Sequence, residues 1–416
     1  MLRRVHIRGF KTAIDAVLDL GRLNVFVGPN GAGKSNLLEA IAVLGCAASG
    51  RVDYDAFRAR GIRPGKPGLL KTALSSEKRA ARTILLEAVS DSTRYQVVLG
   101  DSALGRGAST GSAAWRFDKE TFSEGEQEVG SRSKGEGYLV HADGARQAIT
   151  ARLDRGIAPL VGTTRGEGEM SSLLRALEEF AIYAPLPPML RAQIPDPAQK
   201  QPVGLMGGGL AEALLELKQA GAKNAALLRR IEQELKELGG WVERVSFEPE
   251  SGYPGVPTGA GRSLDPHLGL RLQDRYLRSE VGWLSAVEAN EGTLHVLFLL
   301  TMLYHPTTPQ VLAIDNVDQS LNPQLARYLL ARVQALVLAE PKRPQLLVTT
   351  HNPLALDALD LKDDRVRLFI VSRDKRTGAT SVERMHHTDA LERAKEHNMT
   401  LSRLWLSGAL GGMPGV

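Results

Sequence analysis

The sequence predicts an α/β fold in which a mainly parallel sheet is covered by helices on both faces, with a helical and loop-rich lobe inserted into it. Three observations support this prediction. Buried apolar strands alternate with amphipathic helices in the last third of the chain. A glycine-rich loop near the N-terminus joins an apolar strand to a helix. Between these regions lies a long stretch rich in glycine, serine and charge.

The N-terminal elements follow from local pattern. "RVHIRGF" alternates apolar and polar residues and "LNVFV" is short and apolar, so both predict strands. "KSNLLEAIAVLG" predicts a helix that ends at Gly45. "RTILLEAVSDSTRYQVVLG" predicts two further strands joined by a polar turn.

The middle of the chain changes character. From residue 101 to about residue 168 the composition predicts an insertion with few elements and mobile loops. A helical period then returns and marks one apolar face formed by Leu227, Leu228, Ile231, Leu235 and Leu238. We interpret this helix as packed on its own domain, with a partner-binding arm as the alternative.

The last third supplies the alternating elements. "GTLHVLFLLTML" predicts an apolar helix, "QVLAID" and "PQLLVTTH" predict buried strands, and "RLFIVSRD" with "TSVERM" predicts an edge hairpin. We therefore expect a core formed by residues 1–100 and 280–385, an inserted lobe of residues 101–279, and a C-terminal helical segment of residues 386–416.

Composition narrows the class of protein. The chain has 416 residues, of which 43% are hydrophobic and 24% charged, as is ordinary for a globular protein. No apolar run is long enough to span a bilayer and no secretory signal is evident, so we expect a cytoplasmic protein without a membrane partner. The single cysteine excludes an intrachain disulfide framework. A net charge of +5 permits a polyanionic partner without requiring one.

The segment "GPNGAGKSN", residues 28–36, predicts a phosphate-binding loop. Its glycines allow backbone N–H groups to turn towards a triphosphate, and the following helix directs its positive end at the same anion. Lys34 supplies positive charge for the β- and γ-phosphates, and the Ser35 hydroxyl can bind Mg²⁺. The nucleotide-binding residues predicted here are Asn30, Gly31, Ala32, Gly33, Lys34, Ser35 and Asn36.

An acidic group completes the predicted metal site. Asp315 ends a buried apolar strand, which is where such sites usually carry the carboxylate that holds Mg²⁺. Ser35 and Asp315 are therefore the predicted metal-binding residues.

Four motifs, in this order and spacing, resemble the ABC-type ATPases of the RecF and SMC kind, and in particular the compact AAA-21 or OLD-like ATPases. The resemblance covers about residues 1–100 and 280–375. It rests on "IRGFKTAIDAVLDLGRLNVFVGPNGAGKSNLLEAI", on "SAVEANEGTLHVLFLL" as a signature segment, on "LAIDNVDQSLNP", and on "LLVTTHNPLAL" as a switch-histidine segment. It implies the ABC-type P-loop NTPase fold and ATP with Mg²⁺ as ligands.

The resemblance also implies how the chain works. It implies a head-to-tail homodimer with two ATP molecules between the subunits. The residues that would reach the γ-phosphate on the opposite subunit are Asn290, Glu291, Gly292 and Thr293. His351 would approach the γ-phosphate and the attacking water within its own subunit.

The chain departs from this pattern at the catalytic position. Asn290–Glu291 replaces the usual Ser-Asp and Asn322–Pro323 replaces His-Pro, while Asn316 stands where the water-polarising glutamate is usual. A neutral amide cannot act as a charged base, although its oxygen can hold water. If the strand continues past Asp315, Asp318 shares a face with Asn316 and reaches the site. The predicted catalytic residues are thus Asn316, Asp318 and His351. We expect slow hydrolysis, with complete loss of hydrolysis as the alternative.

Three functions remain open from the sequence. The first is an ATP switch whose dimer controls a separate effector, a nuclease or toxin, in bacterial defence against phage or plasmids. The second is a RecF-like repair ATPase that closes on DNA, and the third is a scaffold that binds nucleotide without turnover. Basic residues could line a DNA surface if the terminal strands are neighbours, although a solvated face is the preferred interpretation. These residues are Arg3, Arg4, Arg8, Arg365, Arg367, Arg373, Lys375 and Arg376.

Overall fold

The computed structural model describes residues 1–77, 79–101, 115–249, 268–388 and 399–407. The chain divides into two compact units. The first unit is Met1–Ile182, Pro309–Val317 and Val337–Val416, and the second is Tyr183–Thr308 and Asp318–Leu336. Within the described residues, no helix is both long and apolar enough to cross a membrane.

The strands are β1 Arg4–Phe10, β2 Ala13–Asp19, β3 Leu23–Val27, β4 Ile84–Val89, β5 Thr93–Asp101, β6 Trp115–Glu124, β7 Gln127–Ser133, β8 Glu136–Val140, β9 Arg146–Thr150, β10 Ile182–Tyr183, β11 Val242–Pro249, β12 Leu268–Asp274, β13 Trp283–Ser285, β14 Val311–Ile314, β15 Gln345–Thr350, β16 Val366–Arg373 and β17 Thr380–Met385. The helices are α1 Lys34–Ala48, α2 Tyr54–Arg58, α3 Pro67–Leu70, α4 Ala158–Arg165, α5 Glu169–Glu179, α6 Pro187–Leu190, α7 Leu210–Gln219, α8 Ala222–Gly239, α9 Glu291–Tyr304, α10 Pro323–Ala339 and α11 Leu401–Leu406, with a 3₁₀ helix at Pro353–Ala358.

The first unit contains a six-stranded sheet in the order β10-β14-β15-β3-β16-β17. The pairs β14–β15, β15–β3 and β3–β16 are parallel, and β17 closes the edge as the antiparallel half of a hairpin with β16. Every residue of β3 and β15 is buried, as strands covered on both faces require. The mainly parallel sheet and its edge hairpin confirm the predicted α/β fold class.

The first unit also contains an eight-stranded antiparallel sheet in the order β2-β1-β4-β5-β6-β7-β8-β9. The expectation of few elements between residues 101 and 168 was wrong, because β6 to β9 lie there. Trp115, Phe117 and Phe122 are buried in β6, but a shift in its pairing with β5 between Phe117 and Lys119 interrupts the two-residue period, so the sequence does not show a continuous strand pattern. The part of that segment from residue 102 to 114 lies outside the described residues.

Helix α1 does not end at Gly45 as predicted but runs on to Ala48. A Cβ at Gly45 would lie 2.3 Å from the carbonyl oxygen of Leu177 in α5. Gly45 therefore allows two helices to approach closely, and it does not stop the helix.

The second unit is mainly helical. It contains α6 to α9, most of α10, and a three-stranded antiparallel sheet of β11, β12 and β13. Helix α8 buries Leu228, Ile231 and Leu235 and packs against α7, α9 and β11, which confirms that this helix packs on its own domain. Buried Glu234 in α8 accepts hydrogen bonds from Tyr304 and from Arg332.

The boundaries of the two units differ from the domain boundaries predicted from the sequence. Residues 115–182 join the first unit because β6 pairs with β5, and α9, which was expected in the core, belongs to the second unit. Of the predicted C-terminal helical segment, residues 389–398 and 408–416 lie outside the described residues. Helix α11 within it buries Leu404 and Trp405.

Candidate functional site

The predicted phosphate loop connects β3 to α1 in the first unit. Gly31 and Gly33 have φ of 76° and 111°, values that side chains other than glycine rarely adopt. A Cβ at Gly28 would lie 2.0 Å from the carbonyl oxygen of Val371. The loop is thus curled and tightly packed, which is the backbone shape that a phosphate cradle needs.

Lys34 is held inside this loop. Its Nζ donates to the carbonyl oxygens of Gly28 at 2.7 Å and Pro29 at 3.1 Å, and it lies 3.3 Å from Nδ1 of His351. His351 directly follows β15, whose parallel pairing with β3 brings the two segments together. The structure therefore brings together the predicted phosphate-binding lysine and the predicted switch histidine.

Ser35 and Asp315 also lie together. The Ser35 hydroxyl donates to Oδ2 of Asp315 at 2.9 Å, and Thr349 donates to Oδ1 of the same carboxylate at 2.5 Å. A hydroxyl beside a carboxylate is the oxygen donor set that Mg²⁺ prefers, and its other positions are normally filled by water and phosphate oxygens. Within the described residues, no group of three or more acidic, histidine or cysteine side chains could hold a metal ion alone. The residues present fit a magnesium ion that is shared with a nucleotide.

Asn316 follows Asp315 in a left-handed conformation with φ of 56°. Asparagine tolerates this region better than most residues because its short polar side chain can bond locally. Its backbone N–H donates to Oγ1 of Thr349 at 2.8 Å. Thr349 therefore fixes both Asp315 and Asn316.

The expectation that Asp318 shares a strand face with Asn316 was wrong. Strand β14 ends at Ile314, and the residues that follow form a turn. The carbonyl oxygen of Asp318 accepts a hydrogen bond from Leu321 within this turn. The two-residue period of a strand does not apply beyond Ile314.

The predicted signature residues lie at the start of α9 in the second unit. Oδ1 of Asn290 accepts a hydrogen bond from the backbone N–H of Thr293 at 2.8 Å and so caps the helix. Trp241 donates from Nε1 to Oγ1 of Thr293 at 3.1 Å. Glu291 forms an ion pair with Arg191 at 3.7 Å. The side chains of Glu291 and Thr293 are thus both held by neighbours in the second unit.

These residues border one cavity of about 350 Å³. It is lined by Trp241, Asn290, Glu291, Gly292, Thr293, Ser320, Asn322 and Leu325. A Cβ at Gly292 would lie 3.1 Å from the carbonyl oxygen of Ser320, so larger residues fit poorly there. The first turn of a helix presents backbone N–H groups without partners in the helix, which suits an anion.

Sequence reasoning missed three residues of these two sites. Thr349 is fully buried at the end of β15, and a buried polar residue there is a signal that it has a partner. Trp241 and Arg191 support the signature segment from far away in sequence, and no pattern marked either of them.

The two terminal strands on or near which these basic residues lie do not pair with each other. Strand β1 belongs to the eight-stranded sheet and β16 to the six-stranded sheet, so the two strands are not neighbours in one sheet. Several of these arginines pair with carboxylates: Arg3 with Asp91, Arg4 with Asp19, Arg365 with Asp363, and Arg367 with Asp364. Paired charges on a solvated face have little net attraction for a polyanion.

Comparisons with known proteins agree with this geometry. Residues 23–357 match the AAA_21 family, described as "AAA domain, putative AbiEii toxin, Type IV TA system". The DNA replication and repair protein RecF of Halothermothrix orenii is 43% identical over 53 residues, a stretch that covers 12% of this chain and 14% of that protein. The whole activity of RecF therefore does not transfer to this chain.

The fold is also similar to that of solved structures. An SmcHead bound to the C-winged helix domain of ScpA has 14% identity and a TM-score of 0.51, covering 94% of this chain and 99% of that chain. The SMC head domain from Thermotoga maritima has 13% identity and a TM-score of 0.45, covering 92% and 99%. The first likeness confirms the ABC-type P-loop fold predicted from the sequence. Because the family match spans most of the chain, the protein belongs to the AAA_21 family, and its fold is that of the ABC-type P-loop NTPases.

Proposed function

We propose that the protein is a slow ATP-driven switch that forms a head-to-tail homodimer on binding ATP and thereby controls a separate effector protein. The observation that carries the proposal is the meeting of Lys34, Ser35, Asp315 and His351 around one glycine loop. This set supplies a cation for phosphate, two oxygen ligands for Mg²⁺ and an imidazole beside them.

The bound nucleotide would change the partners of these side chains. Lys34 would exchange the carbonyl oxygens of Gly28 and Pro29 for the charged phosphate oxygens, which are stronger acceptors. Ser35 and Asp315 would hold Mg²⁺, which neutralises charge that develops on the phosphates. His351, whose Nδ1 lies 3.3 Å from Nζ of Lys34, would donate to the γ-phosphate or to the attacking water.

Slow turnover follows from Asn316. Its amide can orient a water molecule but cannot take up the proton, and a positioned base normally contributes 10²–10⁴-fold. Positioning and electrostatic stabilisation by the other residues remain, and these carry much of the catalysis of phosphoryl transfer. A slow rate would make the lifetime of the closed dimer the quantity that the site controls.

The second unit would complete the site in the partner copy. The cavity at the start of α9 combines a capped helix N-terminus with Gly292, where the backbone can approach an anion closely. In a head-to-tail dimer this cavity would receive the γ-phosphate that is bound by the loop of the other copy. ATP would then connect the two chains.

The effector is proposed from the family. Its description names a toxin and a toxin–antitoxin system, which supports a role in such a system. A separate nuclease or toxin as the controlled partner, and defence against phage or plasmids, are part of the proposal. One SMC head is described as bound to a domain of ScpA, which supports a partner protein for this chain as well. We include a cytoplasmic location in the proposal, since the switch consumes ATP.

Dimerisation can be tested with variants of each half-site. Native mass would be measured with and without Mg²⁺ and ATP for the native chain, Lys34→Ala, Gly292→Asp and Gly292→Ala. The aspartate places a negative charge at the helix N-terminus, where it repels the phosphate, while the alanine controls for the added Cβ. We expect an ATP-dependent dimer for the native chain, none for Lys34→Ala or Gly292→Asp, and partial retention for Gly292→Ala.

Mixing the two defective variants tests whether the sites are shared. A heterodimer of Lys34→Ala and Gly292→Asp contains one site in which the loop and the signature are both intact. ATP-dependent dimers should therefore return in the mixture. A native chain whose mass does not change with ATP, or a mixture that stays monomeric, would refute the head-to-tail arrangement.

The short similarity to RecF favours DNA repair as a second candidate. It predicts ATP-dependent DNA binding that weakens steeply with salt. The pairing of Arg3, Arg4, Arg365 and Arg367 with carboxylates weighs against it. Equal DNA binding with and without ATP would remove this candidate.

A further inference from the structure

The hairpin of β16 and β17 packs against both ends of the phosphate loop. At one end, Gly28 lies against the carbonyl of Val371 in β16. At the other end, a Cβ at Gly33 would lie 2.2 Å from Oγ1 of Thr380, the first residue of β17. The hairpin begins after residue 357, so it lies outside the part of the chain that the family match covers.

Thr380 joins the hairpin to the loop through its hydroxyl. It is 7% exposed, and its Oγ1 donates to the carbonyl oxygen of Ala32 at 2.9 Å. The same oxygen lies 2.7 Å from Oγ1 of Thr12, whose carbonyl oxygen accepts from the backbone N–H of Thr380 at 2.8 Å. Thr12 Oγ1 in turn accepts a hydrogen bond from Nδ2 of Asn36 at 2.9 Å.

Proton counting gives this chain of bonds one direction. A threonine hydroxyl has a single proton, and Thr380 uses it on Ala32. Thr12 must therefore donate to Thr380, and Asn36 donates to Thr12. The bonds run from Asn36 through Thr12 and Thr380 to Ala32. Ala32 and Asn36 belong to the same loop and helix, so these bonds and the backbone between the two residues form a closed ring. Residues 33–35, which include Lys34 and Ser35, are part of this ring.

The ring fixes a peptide plane. The carbonyl of Ala32 and the N–H of Gly33 belong to one planar trans peptide, so they point in opposite directions. When Thr380 holds the carbonyl, the Gly33 N–H is directed away from the hairpin. Backbone N–H groups of such loops are the donors that hold phosphate, so their direction decides how well the loop binds. A free carbonyl would let this peptide rotate, because glycine accepts many backbone conformations.

We propose that Thr380 is a positioning residue for nucleotide binding, which sets the Ala32–Gly33 peptide through the hydroxyl ring formed with Thr12 and Asn36. The effect on the loop backbone stands on the contacts alone, while the effect on affinity rests on the proposed ATP function.

The test compares Thr380→Val, which keeps the shape and removes the hydroxyl, with Thr380→Ser, which restores it. Thr93→Val is the matched control. Thr93 is likewise the first residue of a strand, is 1% exposed, and its hydroxyl lies 2.5 Å from that of Ser90. Two quantities would be measured for each chain: amide hydrogen exchange over residues 28–36 without nucleotide, and the dissociation constant of a fluorescent ATP analogue.

We expect Thr380→Val to raise exchange in the loop and to weaken binding of the analogue about fivefold, the value of one neutral hydrogen bond. Thr380→Ser and Thr93→Val should match the native chain in both. The proposal would be overturned if Thr380→Val changed amide exchange in the loop and affinity for the analogue no more than Thr93→Val does. If the native chain bound no analogue but loop exchange still rose in Thr380→Val, the positioning role would stand and the ATP function would fail.

Discussion

Thr349→Val isolates the residue that organises the candidate metal site. The threonine is fully buried, and valine has almost the same shape, so the change removes a hydroxyl without leaving a cavity. That hydroxyl donates to Asp315 at 2.5 Å and accepts from the backbone N–H of Asn316 at 2.8 Å. The variant therefore loses the support of the proposed metal-binding carboxylate and of the backbone at the proposed catalytic position together.

The two lost bonds set the size of the effect. A hydrogen bond to a charged group contributes about 1.5–3 kcal/mol and a neutral one about 0.5–1.5 kcal/mol. We expect the free energy of unfolding to fall by about 3 kcal/mol. Thr350→Val is the matched control, because Thr350 is also fully buried and its hydroxyl accepts a bond from the backbone N–H of Asn352 at 3.0 Å. That variant should lose about 1 kcal/mol.

The loss should also appear in metal dependence. Groups that orient a metal ligand typically change metal affinity by 10–100-fold. Thr349→Val should need at least about tenfold more Mg²⁺ for half-maximal binding of a fluorescent ATP analogue, while Thr350→Val should resemble the native chain. Unfolding would be followed by urea titration. If the two variants have the same free energy of unfolding and the same Mg²⁺ dependence, the role given to Thr349 is refuted.

Three further changes test other parts of the account. Burial raises the pKa of Glu120 to about 7 from its ordinary 4.5, so the folded chain keeps a proton that the unfolded chain releases between these pH values. Stability should then fall by up to about 3 kcal/mol as pH rises through that window, and Glu120→Gln should remove this slope in urea titrations below and above it. Gly45→Ala should lower the thermal midpoint of unfolding, because the new Cβ would lie 2.3 Å from the Leu177 carbonyl oxygen. Gly162→Ala should raise the midpoint slightly, because its Cβ would lie 3.9 Å from Leu174 and alanine favours a helix. Equal shifts in the two variants would contradict this packing. Asn290→Ala should cost about 1 kcal/mol of unfolding free energy through the lost helix cap, and Asn290→Asp should restore it; an unchanged Asn290→Ala would show that the cap does not stabilise α9.

The parts of the fold that the sequence predicted are those with a strong local pattern. Strands β3 and β15 are short continuous apolar runs. The glycine and lysine spacing of "GPNGAGKSN" is required by few structures other than phosphate-binding loops. The four strands between residues 115 and 150 were missed because their two-residue period is diluted by turns and charged residues. Gly45 was taken for a helix end because local sequence does not show that α5 packs against it.

The residues of the candidate site that could be predicted are likewise those with a local sequence pattern. Lys34 and Ser35 could be placed from one motif, and Asp315 from the strand before it. The placement of Asp318 failed because the left-handed turn at Asn316 ends the strand direction, and no residue pattern marks that turn. The Thr349 hydroxyl contacts Asp315 and Asn316, and the Thr380 hydroxyl contacts Ala32 in the loop. Such contacts between segments far apart in sequence exist only once the sheet has formed.

The central claim of the proposed function is that Asn316 slows ATP hydrolysis without abolishing it. Steady-state ATP hydrolysis with Mg²⁺ would be measured for the native chain, Asn316→Glu and Lys34→Ala. We predict a low native rate that Lys34→Ala removes and that Asn316→Glu raises on the order of 10²-fold, even though glutamate in the left-handed turn costs roughly 1 kcal/mol of stability. A native rate no higher than that of Lys34→Ala would contradict the claim and leave a protein that binds ATP without consuming it.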